Sequence, residues 1–201
     1  MHVSLLGHDF QWMNEPRVWR LDEGVLGVDA EPGTNFFIDQ ADAGVSDNAH
    51  FLATPLCADF MLRCRVSVEM HATWDSVCLM LMRDATHWAK LCYENWPTGR
   101  SIVSVVTRDY SDDCAGPVVG PCQPWLCIVR SGSNVGFHFS LDGTHWAMAR
   151  YFNFPATDAL RVGFAFQSPV GEGCRIAIRD LVLTTEAQAS AREVVQPAAA
   201  R

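Results

Sequence analysis

The sequence predicts an all-β protein built as a sandwich or barrel of antiparallel sheets. Runs of alternating apolar and polar residues, rich in Val, Ile, Phe and Trp, recur along the whole chain. Turn signals separate them at Pro32-Gly33, Pro97-Thr98-Gly99, Ser131-Gly132, Asp142-Gly143 and Gly171-Glu172-Gly173. No window carries a long apolar stripe of helical period. Without crossover helices the strands have to pair antiparallel.

The first extended runs are Trp19–Leu21, Val25–Asp29, Asn35–Ile38 and His50–Ala53. Longer ones follow at Phe60–Met70, Ser76–Arg83, His87–Trp96 and Ile102–Arg108. Trp125–Arg130, Val135–Leu141, Thr144–Tyr151, Leu160–Gln167 and Arg175–Leu183 complete the set. Asp142-Gly143 lies between two of these runs and predicts a tight hairpin. The segment before residue 40 has no linker after it, only a polar loop, so residues 1–185 read as one domain. From Glu186 the chain becomes Ala-rich and loses β alternation. Residues 186–201 read as a frayed tail or a short surface helix.

Of the 201 residues 49% are hydrophobic and 19% charged, the balance of a globular domain. A net charge of -8 argues against nucleic acid or an anionic membrane surface as partner, since each needs a basic patch. No apolar run approaches the roughly 20 residues that span a bilayer. The first residues lack a basic region followed by an apolar core, so a cytoplasmic, reducing location is expected. The eight cysteines show no CxxC or paired CxxH spacing, which points to structural thiols and to no metal. Five of them (Cys64, Cys78, Cys92, Cys127 and Cys174) lie inside strand-like runs, where a free thiol packs as a small hydrophobe.

The densest chemistry falls between Trp74 and Asp113. Trp88, Lys90, Glu94 and Trp96 share one parity, so on a strand they project from the same face. A charged pair between two indoles has the parts of a binding surface, because aromatic faces stack on sugar rings while polar groups bond hydroxyls. Neighbouring strands add Arg83, which shares parity with Asp75, and Arg108. His138 and Trp146 interrupt apolar alternation in the later hairpin, and Gln167 ends a strand opposite in parity to Val162, Phe164 and Phe166. Against this stands a plainer reading, in which Lys90 and Glu94 form a solvated pair on the wet side of a sheet. His138 alone reads better as a packing or surface residue.

Several phrases together resemble a family of unknown function in the concanavalin A-like lectin/glucanase superfamily, which includes proteins named for regulation of enolase. They are Trp12-Met13-Asn14-Glu15-Pro16, Asp47-Asn48-Ala49-His50-Phe51, Asp59-Phe60 and Leu79-Met80-Leu81-Met82-Arg83 after Asp75. Trp88-Ala89-Lys90 with Glu94, and Val105-Val106-Thr107 with Ser111-Asp112, complete the pattern over residues 10 to 184. Ser76-Val77-Cys78 stands where the family often has Gln-Ala-Gly, and Asp113 where it usually has Trp. The resemblance implies a two-sheet, jelly-roll-like sandwich whose ligand groups sit on the concave sheet. It implies no established activity.

The expected function is therefore binding of a carbohydrate or related small polar ligand by Asp75, Arg83, Trp88, Lys90, Glu94, Trp96, Arg108, His138, Trp146 and Gln167, with no cofactor. A glycoside hydrolase is the alternative. It needs two carboxyls about 5–5.5 Å or 6.5–9.5 Å apart. Glu94 is the best acid, with Asp75 or Asp112 as partner, but the paired-carboxylate strand motif of retaining glucanases in this superfamily is absent. A third reading is a protein-interaction sandwich, monomeric or homodimeric. Asp180 as a calcium ligand has too little support, since that ion takes six to eight oxygens.

Overall fold

The computed structural model describes residues 2–41, 44–155, 158–186 and 189–194. Its first strands are β1 (His2–Leu5), β2 (His8–Met13), β3 (Trp19–Asp22), β4 (Val25–Ala30), β5 (Phe36–Ile38) and β6 (Val45–Asp47). Then come β7 (His50–Pro55), β8 (Phe60–Val68), β9 (Ser76–Asp84), β10 (His87–Trp96), β11 (Gly99–Arg108) and β12 (Tyr110–Val118). The last are β13 (Trp125–Ser131), β14 (Asn134–Ser140), β15 (Ala147–Asn153), β16 (Arg161–Gln167) and β17 (Cys174–Thr184). Among the described residues no helix is long and apolar enough to cross a membrane.

The molecule is a two-sheet antiparallel sandwich. One sheet has the order β1-β2-β7-β16-β9-β10-β11-β12, the other β15-β14-β13-β8-β17-β4-β3, and β5-β6 forms a small third sheet. Side chains of one parity fill the space between the large sheets: Leu79 and Leu81, Leu91, Val106, Leu126 and Ile128, Phe137, Phe164 and Phe166, Ile176 and Ile178. This is the sheet-on-sheet core that the alternation predicts. The opposite parity of β9 is also buried, under β5, with Cys78, Met80 and Met82 beside Phe36, Phe51 and Trp88. A strand covered on both faces reads as an unbroken apolar run, as Val77–Met82 does.

Every predicted run is a strand, with small shifts at the ends. Asp142-Gly143 does not make a two-residue turn, because β14 ends at Ser140 and β15 starts at Ala147. The Asp142 carboxylate accepts from the Thr144 and His145 backbone N–H groups, both at 2.8 Å, and this stabilises a longer loop. Strands β1, β2, β6 and β12 had no clear sequence signal. The turn between β1 and β2 is Leu6-Gly7, with φ of 56° and 74°, a left-handed pair that suits a tight hairpin.

Two of the motif phrases serve the β5–β6 hairpin. Asn14 Nδ2 donates to the carbonyls of Asp47 (2.9 Å) and Ala49 (3.0 Å). Asn48 accepts from the Asn35 N–H at 2.9 Å and donates to Gly33 O at 2.9 Å. These bonds fix a hairpin that is too short to stand alone. Part of the tail is also ordered against the sandwich, since Ala191 is buried with Met61, Cys127 and Val129 on the outer face of the seven-stranded sheet.

Candidate functional site

Strand register arranges the outer face of the eight-stranded sheet in rows. Gln167, Ser76, Glu94 and Ser101 are lateral partners across β16, β9, β10 and β11. The next row is Ala165, Cys78, Cys92, Val103 and Ala115, and the one after it Gly163, Met80, Lys90, Val105 and Asp113. Lys90 and Glu94 are therefore about 13 Å apart along the strand, at ~3.3 Å per residue. The short side chains of the middle row leave a depression between them. It is a cleft of about 50 Å³ lined by Asn35, Phe37, Trp74, Trp96 and Asp113 as well as Lys90, Glu94 and Gln167.

Three polar side chains at this cleft are nearly inaccessible, with exposures of 2% for Lys90, 4% for Glu94 and 1% for Gln167. Lys90 Nζ donates to Phe36 O at 2.8 Å and to Gln167 Oε1 at 3.0 Å, and it lies 5.8 Å from the centre of the Trp88 ring. An ammonium has three protons, so one remains unspent. The amide oxygen of Gln167 faces Lys90, which leaves its NH2 as a free donor. Burial pushes the Glu94 carboxyl up to about 7, and the Asp113 charge acts in the same direction. Lys90 and a hydrogen bond from Ser76 oppose them without prevailing.

The rim is aromatic. Trp74 is 40% exposed and has φ of 69°, an unfavourable conformation for a bulky residue. Its loop is held from below. The Asp75 carboxylate accepts from His71 N (2.9 Å), Ala72 N (2.8 Å) and Ser168 Oγ (2.7 Å). Asn95 closes the loop by accepting from Trp74 N at 2.8 Å and donating to Ala72 O at 2.9 Å.

The expected ten-residue set is divided by the fold. Lys90, Glu94, Trp96 and Gln167 meet at the cleft. Trp88 has the right face but is 1% exposed, roofed by Phe36 at 6.1 Å between ring centres, so it is floor and not a stacking platform. Asp75 is fully buried as the loop anchor. Arg83 and Arg108 do not join the site, because each has the parity of the inter-sheet core. Arg83 instead meets Asp84 at 2.9 Å and Arg108 meets Asn153 O at 2.6 Å. His138 and Trp146 belong to the other sheet's outer face. There His138 Nε2 meets Ala191 O at 2.9 Å, and burial lowers the pKa of the ring. Trp146 packs there against the cluster around Ala191.

Sequence reasoning missed Asn35, Phe37, Trp74 and Asp113. The signal for Trp74 was its place before the buried Asp75, in a loop and not a strand. Asp112, the suggested partner of Glu94, pairs with Val106 and takes the opposite parity, whereas Asp113 pairs with Val105 and lines the cleft. A much larger open cleft of about 1050 Å³ runs along β3, β4, β8 and β17, lined by Arg20, Asp29, Glu69 and Arg175 among others. Its charges are solvated, with Arg175 and Glu69 paired at 3.6 Å and 72% and 56% exposed. Such exposed pairs mark no built site.

The chain is similar to proteins of uneven informativeness. Regulation of enolase protein 1 of Saccharomyces cerevisiae is 24% identical over 174 residues, 86% of this chain and 88% of that protein. A functionally unknown protein from Saccharomyces cerevisiae has a crystal structure that superposes with a TM-score of 0.84 at 23% identity, over 89% of this chain and 97% of its own. The GH43 protein BlXynB from Bacillus licheniformis gives 0.66 at 15% identity, over 85% of this chain but only 35% of its own length. The carbohydrate-binding module CBM66 from Bacillus subtilis gives 0.52 at 9% identity, over 86% and 94%. Identities this low establish a shared fold. Residues 12–186 match the model of the protein family of unknown function DUF1349, and the chain belongs to that family.

Proposed function

We propose that the protein binds a carbohydrate, or a similarly polyhydroxylated small ligand, at the Lys90–Glu94–Gln167 cleft. One observation carries the reading: three buried polar side chains with unspent hydrogen-bonding capacity meet at a cleft rimmed by Trp74, Trp96 and Phe37. Burying such groups is unfavourable unless partners satisfy them, and ligand hydroxyls supply both donors and acceptors. Lys90 and the Gln167 amide donate, ionised Glu94 accepts, and an indole covers the ring face. The sandwich likeness to a carbohydrate-binding module supports the same reading.

Titration calorimetry and amide chemical shifts against a panel of neutral mono- and oligosaccharides test it. Binding should perturb the Trp74 and Trp96 indole resonances, and Glu94→Gln or Lys90→Met should weaken it at least tenfold. A saccharide that binds equally well to both variants would refute the assignment.

Glycoside cleavage is a second reading, favoured by one specific observation. Glu94 is raised to about 7, as a general acid needs, and Asp113 brings a second carboxylate to the same cleft. It predicts turnover of aryl glycosides that is lost in both Glu94→Gln and Asp113→Asn. Binding without turnover would leave only the first reading.

A further inference from the structure

We infer that this cleft receives the terminal unit of a saccharide and does not admit the interior of a chain. The inference rests on the proposed function and adds the topology of the ligand.

Strand β5 lies across the outer face of the eight-stranded sheet and is tied to it along its course. At one end Thr34 N donates to Ser168 O at 3.3 Å, and Thr34 Oγ1 accepts from Ser168 N at 3.0 Å, beside β16. In the middle Phe36 O takes the Lys90 bond, above β10. At the far end Ile38 N donates to Ser111 Oγ at 2.9 Å on β12, and that hydroxyl also meets Thr107 Oγ1 at 2.9 Å. Beneath it Phe36 and Ile38, 2% and 6% exposed, pack with Trp88 and Phe51. A polymer lying across the sheet would have to displace this strand, its tethers and a packed aromatic layer.

Trp74, on the loop anchored by Asp75, and Trp96 stand at the cleft's Glu94 end. The cleft is thus bounded by β5 and by these two indoles. Its volume of about 50 Å³ is far below the ~300–1,000 Å³ of a pocket that swallows a whole drug-sized ligand. It fits one hydroxyl-bearing edge of a ring, with the rest of that unit against the rim indoles. Lys90 and the Gln167 amide lie on the β5 side of this blind end, where only a first unit reaches them.

Wild-type protein decides the matter. Linear xylo-, gluco- and manno-oligosaccharides of increasing length are titrated by calorimetry, beside their parent polysaccharides before and after endo-hydrolase digestion. The expected result is an affinity per mole that does not change beyond the first units. Binding capacity per gram of polysaccharide should rise in proportion to the chain ends released. Affinity that climbs with each added unit, or capacity unaffected by digestion, overturns the inference while leaving carbohydrate binding in place. Failure of every saccharide to bind removes both.

Discussion

At the scale of single residues, Glu94 controls the most. Its carboxyl is raised to about 7 from an ordinary 4.5, chiefly by burial, so the folded state holds a proton that the unfolded chain releases. Between those values the folded state binds more protons, and stability therefore falls as pH rises. The loss is on the order of 3 kcal/mol above pH 7. Urea midpoints at pH 5 and pH 8 should show this slope in the wild type and a flatter one in Glu94→Gln. The two tryptophans near the cleft make a complementary pair. Trp88→Ala should cost ~3–5 kcal/mol, because it empties a packed layer under Phe36. Trp74→Ala should change stability by less than ~0.5 kcal/mol yet weaken saccharide binding about tenfold, since it strips only an exposed rim. Equal effects of the two on unfolding would contradict this division.

At the scale of elements, legibility followed the apolar and aromatic content each strand carries. Strands β9 to β11 are long and largely buried, with β11 rich in Val, and their limits were readable to within a few residues. Strand β12 was not, because Asp112, Asp113, Gly116 and Pro117 make it a polar edge, the composition that keeps an unpaired edge from aggregating. Parity put Lys90 and Glu94 on one face of their strand and Gln167 opposite Val162, Phe164 and Phe166 on another. Parity could not reveal that Phe36, more than fifty positions upstream, roofs Trp88, nor that the segment around Ala191 covers His138. That segment offers its own test. A Cβ at Gly136 would lie 1.7 Å from Ala191 O, so Gly136→Ala forces two backbones apart. The variant should lose ~1–3 kcal/mol, and limited proteolysis should cut it within residues 189–194 while sparing the wild type.

At the scale of the whole molecule, the sandwich has three apolar layers, one between the sheets and one on each outer face. Six of the eight cysteines fall inside this packing or at its margin. Cys57 and Cys114 are exposed, Cys122 is half-buried, and Cys64, Cys78, Cys92, Cys127 and Cys174 are buried. Burial raises the thiols of Cys64, Cys92 and Cys127, which suppresses the reactive thiolate. A thiol reagent should thus modify two sites quickly in the native protein and all eight after denaturation. Rapid native labelling of Cys78 or Cys92, whose sulfurs sit 3.0 Å apart under β5, would mean that the roof opens.

The docked segment around Ala191 lies on the seven-stranded sheet, while Lys90 and Glu94 open from the far side of the eight-stranded one. A sensor surface or fluorophore coupled at Val194 would hold the molecule by its back, with the Lys90–Glu94 cleft turned outward to solution. The same coupling at the β1–β2 turn would instead tether the eight-stranded sheet by its edge. The fold thus supplies a handle for oriented immobilisation.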